Sequence, residues 1–181
     1  MTTYISMLRG INVSGQKSIK MDALKSVYEG LDFDAVTTYI QSGNVIFKSA
    51  KRPQHGLVEE ITAAIEARFG YPVTVVLRDQ ADLARIIRDN PFPARDGIAL
   101  DKLHVCFLSG SPRQDGLPAL PAVTTGNDEF SILGENIYLY CPGGYGKTKL
   151  SNTFFEKKLA LSATTRNWKT VQKLSELAEH V

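Results

Sequence analysis

Cysteine and histidine, the residues most often used for disulfides and metal sites, are scarce in this chain. Its 181 residues include two cysteines, Cys106 and Cys141, and three histidines, His55, His104 and His180. Because there is no CxxC pair and no closely spaced pair of histidines, the sequence predicts neither a disulfide framework nor a zinc site. We expect no metal, and nothing in the chain indicates a cofactor.

Long hydrophobic runs are also lacking. No apolar stretch approaches the roughly 20 residues that a membrane helix needs, which argues against a membrane partner. The first segment, MTTYISMLRGIN, has neither the basic residues nor the apolar run of a secretory signal. With 43% hydrophobic and 22% charged residues, the composition is typical of a soluble globular protein, and we expect a cytoplasmic location.

The net charge of +2 is small but unevenly distributed. From Lys147 to the last residue there are seven Lys and Arg against three Glu, a net charge of +4. A positive segment of this kind attracts anionic partners, but it is also compatible with a solvated helical face. The charge pattern alone leaves both interpretations open.

The order of the elements predicted for the first half is that of a ferredoxin-like fold. Apolar periodicity predicts, in order, a strand, a helix, a two-stranded hairpin, a second helix and a fourth strand that ends near residue 78. The order βαββαβ characterises the ferredoxin-like or α/β-plait arrangement, so we expect an α+β protein. A further helix, which Asp79 can cap, should end near Asn90.

The second half repeats part of this order. A strand in DKLHVCFLS precedes a proline-rich connection (Pro112, Pro118, Pro121), the hairpin DEFSILGENIYLYC and two helical stretches, around 150–161 and 167–181. We interpret it as a degenerate βαββα arrangement with an extra C-terminal helix. The segment NPFPARDGI should separate two ferredoxin-like subdomains, at 1–95 and 96–181.

Each hairpin has a turn that predicts its register. In TYIQSGNVIF the Ser-Gly pair fits a two-residue turn, which places Ile40 opposite Val45 and Gln41 opposite Asn44 on the other face. In DEFSILGENIYLYC the Gly-Glu pair fits a type II′ turn, which places Ile132 opposite Ile137, Phe130 opposite Leu139, Ser131 opposite Tyr138 and Glu129 opposite Tyr140. This register leaves Cys141 on the apolar face, as a buried residue rather than a nucleophile.

Polar side chains are predicted to converge at one edge of the first sheet. In a sheet of this topology the third strand is antiparallel to the first, so it begins where the first strand ends. We therefore predict a first ligand-binding cluster, for a small anionic ligand, that comprises Arg9, Asn12, Gln41, Ser42 and Asn44.

A second cluster is predicted in the C-terminal part of the chain. CPGGYGKT is close to a P-loop, but Cys141 stands where glycine is required, and only 33 residues follow Thr148. Glycine-rich loops and helix starts can still hold a phosphate, which makes Lys147, Lys149, Arg166 and Asn167 candidate ligand-binding residues. The alternative is that Arg166 is a surface residue, Asn167 is a helix cap and Trp168 belongs to the core.

Acid–base catalysis has little support from these residues. The first cluster contains amides, a hydroxyl and arginine, but neither histidine nor paired carboxylates. His104 and Cys106 share one face of a strand, although this spacing is far more common among ordinary sheet residues than in catalytic pairs. The sequence leaves open whether the site catalyses a reaction.

Nucleic-acid binding and protein interaction are the two alternative functions. Tyr4 and Tyr39 are predicted on the sheet face opposite the core, where exposed aromatic rings could stack on bases. The third strand, however, offers Asn44, Ile46 and Lys48 instead of the aromatic residues of an RNA-recognition motif. If that face is covered, the pattern indicates a structural or protein-interaction module. The sequence does not specify an oligomeric state.

Five ordered motifs resemble one bacterial family, known as domain of unknown function sixteen-ninety-seven. The motifs are LRGIN at 8–12, TYIQSGN at 38–44, NPF at 90–92, YGKTKL at 145–150 and TRNWKTVQKL at 165–174. The resemblance implies two α/β-plait subdomains, in agreement with the predicted topology. It implies no particular activity or cofactor, but its motifs include all five residues of the first cluster.

Overall fold

The computed structural model describes residues 1–50, 53–115 and 127–181. Within these ranges the chain forms eight β-strands and five α-helices. In chain order they are β1 (Thr2–Leu8), α1 (Met21–Glu29), β2 (Asp34–Tyr39), β3 (Asn44–Ser49), α2 (Gln54–Phe69), β4 (Val75–Asp79), α3 (Gln80–Asp89), β5 (Leu103–Leu108), β6 (Glu129–Leu133), β7 (Asn136–Tyr140), α4 (Asn152–Leu159), β8 (Ala163–Asn167) and α5 (Trp168–His180).

The fold is mixed α+β, with two four-stranded antiparallel sheets. The strand orders are β2-β3-β1-β4 in the first sheet and β6-β7-β5-β8 in the second. The chain divides into two compact units, one of Met1–Ala84 with Lys173–Val181 and one of Arg85–Gln172. None of the helices in the described ranges is long and apolar enough to span a membrane.

The core of the first unit lies between one face of its sheet and helices α1 and α2. Side chains of all three elements share this cluster, among them Leu8 and Phe47 from the sheet and Tyr28 from α1. The Tyr28 hydroxyl is hydrogen-bonded to Ser6 Oγ at 2.6 Å, and burial raises the pKa of Tyr28 well above its usual value. A polar pair therefore stays satisfied within an otherwise apolar core.

Tyr4 was predicted on the sheet face opposite this core, and that prediction is wrong. Tyr4 is 3% exposed, and its ring stacks on Phe47 with a centroid distance of 5.7 Å. The opposite face is also buried, at Ile5, Met7, Ile46 and Val76. Because β1 is buried on both faces, its apolar pattern does not distinguish one face from the other. Tyr4 is not available to stack on a nucleic-acid base.

The predicted register of the first hairpin is also wrong. Tyr39 pairs with Asn44 and Thr38 with Val45, so residues 40–43 form a four-residue loop. The side chain of Asn44 closes this loop, because Asn44 Nδ2 donates to the carbonyl oxygen of Tyr39 at 2.9 Å. A two-residue turn at Ser-Gly is therefore replaced by a wider loop that carries Ile40 and Gln41.

The second unit packs α4 against one face of its sheet. Cys106, Ile137, Cys141, Phe155 and Ala163 belong to this buried cluster. The register predicted for the β6–β7 hairpin is confirmed at all four pairs, and Cys141 is buried as expected. Pro118 and Pro121 of the predicted proline-rich connection lie outside the described residues.

The second half contains a strand that the sequence analysis missed. Residues 163–167 were not predicted as a strand, but they form β8, which pairs with the central strand β5. Helix α4 ends at Leu159, and Ala160 takes the left-handed conformation (φ 53°) that turns the chain into β8. The segment is short and mostly polar, so hydrophobic alternation could not reveal it.

Candidate functional site

The first cluster is organised around the side chain of Asn12. Asn12 Nδ2 donates to the carbonyl oxygens of Ile19, at 3.0 Å, and of Gln41, at 2.8 Å. Asn12 Oδ1 accepts a hydrogen bond from the backbone N–H of Ile19 at 2.8 Å. One side chain thus closes the loop of residues 10–19 and attaches it to the hairpin loop of residues 40–43. We call this region the loop–hairpin junction.

The loop of residues 10–19 is held by further contacts within the first unit. Its tip is a tight turn in which Gln16 N donates to the Val13 carbonyl oxygen at 3.0 Å. Lys17 Nζ donates to the carbonyl oxygen of Pro72 at 2.9 Å, and the Tyr71 hydroxyl donates to that of Ser18 at 3.1 Å. These bonds explain how a largely exposed loop keeps a defined position.

The hairpin side of the junction depends on Gly43 and Asn44. Leu8 N donates to the Gly43 carbonyl oxygen at 2.8 Å. A Cβ at Gly43 would lie 2.6 Å from Ile11 Cδ1 and 2.9 Å from Leu8 Cβ, which is too close for any side chain. Asn44 is fully buried, and its second amide hydrogen bond goes to Ser42 Oγ at 3.0 Å.

The two segments that form the loop–hairpin junction contain basic residues but no acidic ones. Arg9 and Ser42 are half-buried, whereas Gln41 and Lys17 are exposed. The chain has no acidic residue before Asp22, and none from 35 to 48. The structure therefore brings together the segments that carry the predicted residues Arg9, Asn12, Gln41, Ser42 and Asn44, and these segments contain no acidic residue.

The second cluster is less uniform. Arg166 was expected either at a surface or at an anion site, but it is 7% exposed, and its Nη1 donates to Thr164 Oγ1 at 2.8 Å and to the Thr165 carbonyl oxygen at 3.0 Å. Burial lowers the pKa of Arg166 to about 10, a shift opposed by the nearby Tyr145. The alternative in which Arg166 is a surface residue is therefore wrong.

The other members of the second cluster lie at two different places. Asn167 caps α5, because its Oδ1 accepts a hydrogen bond from Thr170 N at 2.8 Å, and Trp168 is buried in the core as the alternative predicted. Lys147 and Lys149 are exposed, in and just after the short helical turn Tyr145–Lys147. The cluster thus combines two surface lysines with a buried arginine and a helix cap.

Comparison with known proteins places the chain in a family. Residues 1–138 match the profile of a family described as protein of unknown function, DUF1697. The chain belongs to this family. The conserved bacterial protein SP0830 from Streptococcus pneumoniae has a similar structure, with a TM-score of 0.77, 22% sequence identity and coverage of 98% of both chains. None of the curated proteins that were compared matches the chain.

The DUF1697 match includes one of the two predicted clusters. All residues of the loop–hairpin junction lie within residues 1–138, whereas Lys147, Lys149, Arg166 and Asn167 follow that range. The similarity to the streptococcal protein concerns the fold, because the two sequences are only 22% identical. A function for this DUF1697 chain must therefore be inferred from its own geometry.

His104 was interpreted from the sequence as an ordinary strand residue rather than as half of a catalytic pair with Cys106. Its ring stacks on Tyr145 of the glycine-rich segment, with a centroid distance of 4.7 Å and an interplanar angle of 24°. Burial lowers the pKa of His104, an effect that the backbone at Lys102 partly opposes. Within the ranges that the structure describes, no three His, Cys, Asp or Glu side chains are grouped so that they could hold a metal ion.

Acidification is expected to destabilise the protein through His104. Its folded-state pKa lies below the unfolded value of about 6.5, so the unfolded chain binds more protons between the two pKa values. The free energy of unfolding should therefore fall as the pH drops below about 6.5. The His104→Phe variant, which retains a ring against Tyr145, should lose this part of the pH dependence. Urea unfolding at several pH values measures it, and equal slopes for both proteins would contradict the prediction.

Proposed function

We propose that this DUF1697 protein binds a small anionic ligand with a phosphate group at the loop–hairpin junction. The main support for this site is that the Asn12 side chain makes three hydrogen bonds, which fix the 10–19 loop against the hairpin loop. A surface loop held this firmly presents its polar groups at low entropic cost, which favours specific binding. The segments on both sides of the junction, residues 1–21 and 35–48, contain no acidic residue, which favours an anion as the ligand.

The residues of the first cluster have two roles in this proposal. Arg9, Gln41 and Ser42 contact the ligand, since a planar guanidinium can donate two hydrogen bonds to a phosphate, and amide and hydroxyl groups complete such sites. Asn12 and Asn44 position them. Both amide hydrogens of each asparagine already go to acceptors of the protein, so neither has an N–H left for a ligand.

The residues of the second cluster do not contact the ligand in this proposal. Lys147 and Lys149 are exposed and lie in the C-terminal segment of positive charge, where they attract anions without fixing their orientation. Asn167 caps α5 by accepting a hydrogen bond from Thr170 N, whereas Arg166 is bonded within β8, to Thr164 Oγ1.

We also propose that both repeats have a ferredoxin-like arrangement. The strand order β2-β3-β1-β4, with α1 and α2 in the crossovers, supports a ferredoxin-like arrangement for the first repeat, and the order β6-β7-β5-β8 supports a related second repeat. Both repeats end with a helix, α3 or α5, which supports a boundary between 1–95 and 96–181 at the level of the repeat. We further propose that the protein is bacterial and that it is located in the cytoplasm.

Replacing Arg9 by Gln is expected to weaken the binding of inorganic phosphate at least about tenfold, because a charge-assisted hydrogen bond is lost. Isothermal titration calorimetry measures the affinity directly. Arg68→Gln is the matched control, since it removes the same charge from an exposed position in the same unit and should leave the affinity unchanged. Equal phosphate affinity of Arg9→Gln and the unsubstituted protein would contradict the proposed function.

The two alternative functions, nucleic-acid binding and protein interaction, can be tested with the same variants. The burial of Tyr4 removes one of the two aromatic rings that favoured nucleic acid. Tyr39, which is half-buried, and the C-terminal charge of +4 remain in its favour. Binding of a short single-stranded RNA that weakens steeply with salt and does not respond to Arg9→Gln would favour the nucleic-acid alternative. If neither phosphate nor RNA binds, the structural or protein-interaction alternative is favoured.

A further inference from the structure

Two exposed apolar side chains flank the loop–hairpin junction. Five large hydrophobic residues are exposed in the part of the chain that the structure describes: Met1, Val13, Ile40, Leu100 and Leu133. Val13 is 58% exposed and Ile40 47% exposed. They are the neighbours in sequence of Asn12 and Gln41, which the hydrogen bond from Asn12 Nδ2 to the Gln41 carbonyl oxygen brings together. The junction therefore combines apolar surface with positive charge.

Ile40 is unusual in its backbone conformation as well as in its exposure. Ile40 has a φ of 48°, in the left-handed region that β-branched residues avoid. Asparagine or glycine would adopt the same conformation with less strain and would be more soluble on the surface. Isoleucine at this φ strains the backbone, and 47% of its surface is still exposed. A contact with a molecule outside this unit's own core would explain why isoleucine occupies the position.

We propose that the ligand of the loop–hairpin junction is a phosphate monoester with an apolar organic group. This inference rests on the proposed function and narrows its ligand class. The phosphate is bound at Arg9, and the organic group packs on Val13 and Ile40. Charge complementarity favours this occupant, because the 9–20 segment includes Arg9, Lys17 and Lys20 and no acidic residue.

Phenyl phosphate and inorganic phosphate form the pair of probes that tests this inference. Both contain the same anionic group, but only phenyl phosphate has an apolar surface to bury. We expect phenyl phosphate to bind roughly tenfold more tightly than inorganic phosphate in calorimetric titrations of the full chain. The ratio of the two affinities is the measured quantity, so an effect on phosphate binding itself cancels.

Ile40→Asn is expected to reduce this ratio to about one, because the apolar contact is lost. The same variant should unfold at an equal or higher temperature, since asparagine tolerates the positive φ better than isoleucine. Leu133→Asn is the matched control, because Leu133 is similarly exposed at a hairpin turn of the other unit, and it should retain the ratio. Val13→Ser, at a second position, should also lower the ratio.

Several results of these titrations would contradict a ligand with an apolar organic group. Equal affinities for the two probes in the unsubstituted protein, or a ratio unchanged by both Ile40→Asn and Val13→Ser, would overturn it and leave the proposed phosphate site intact. No binding of either probe would overturn the inference and the proposed function together. A single-stranded RNA oligonucleotide that binds far more tightly than phenyl phosphate, and loses affinity on Ile40→Asn, would replace the monoester with nucleic acid.

Discussion

Gly43→Ala is expected to destabilise the protein by about 3 kcal/mol. Alanine at φ 83° costs about 1 kcal/mol in backbone strain, and its Cβ would collide with Ile11 and Leu8 at 2.6 and 2.9 Å. Leu8 cannot move away without breaking its hydrogen bond to the Gly43 carbonyl oxygen. Chemical denaturation, fitted to a two-state transition, measures the change in the free energy of unfolding.

Gly70→Ala separates the two causes of this effect. Gly70 has a φ of 82°, almost the same as Gly43, but a Cβ there meets no atom within 4 Å. Its replacement should therefore cost only the backbone term, about 1 kcal/mol. If both variants lost the same stability, the close packing of Gly43 against the first strand would not matter, and the described junction would be incorrect.

Asn12→Ala is expected to destabilise the protein by a similar amount, about 3 kcal/mol. Three hydrogen bonds of the Asn12 side chain are lost, at about 1 kcal/mol each, and alanine tolerates the positive φ of 55° less well than asparagine. The 10–19 loop should also become more mobile, so hydrogen exchange at Ile19 N should accelerate.

Asn12→Gly is the control for the backbone term. Glycine accepts the left-handed conformation, so this variant loses the hydrogen bonds without the strain and should be less destabilised than Asn12→Ala. Both variants should bind inorganic phosphate more weakly, because Arg9 and Gln41 are no longer held in one arrangement. A loss below about 0.5 kcal/mol in both would show that Asn12 does not fix the junction.

The two hairpins show what the sequence could and could not predict. The β6–β7 register was predicted correctly because a two-residue turn fixes the pairing without help from side chains. The first hairpin contains an equally good turn dipeptide, but the Asn44 side chain and the left-handed Ile40 widen its loop. A side chain that bonds to a backbone carbonyl five residues away leaves no signal in hydrophobic alternation.

The missed strand β8 has a counterpart that could have revealed it. In β4, Arg78 Nη1 donates to the carbonyl oxygen of the residue before it, as Arg166 Nη1 does in β8. The next residue in each strand, Asp79 or Asn167, caps the helix that follows by accepting from the N–H three residues on. Arg78-Asp79 at the end of β4 and Arg166-Asn167 share the pattern of an arginine followed by a helix-capping residue. By analogy with β4, this pattern predicts a strand at TTRN, although the apolar pattern alone does not.

The candidate site was only partly predictable for a related reason. Positions at the ends of adjacent strands follow from topology, so Arg9, Asn12 and Asn44 were expected near each other. The division of roles between them depends on individual hydrogen bonds, which composition and spacing do not encode. The exposed pair Val13 and Ile40 was missed because isolated apolar residues in loops are common and carry no sequence signal.

A phosphate site at the loop–hairpin junction is tested most directly by titrating the isotopically labelled protein with inorganic phosphate and following its backbone amide resonances. We expect saturable shifts in residues 9–19 and 40–44, and a loss of these shifts in Arg9→Gln but not in Arg68→Gln. Shifts confined to the second unit, or none in residues 9–19, would contradict a phosphate site at the loop–hairpin junction.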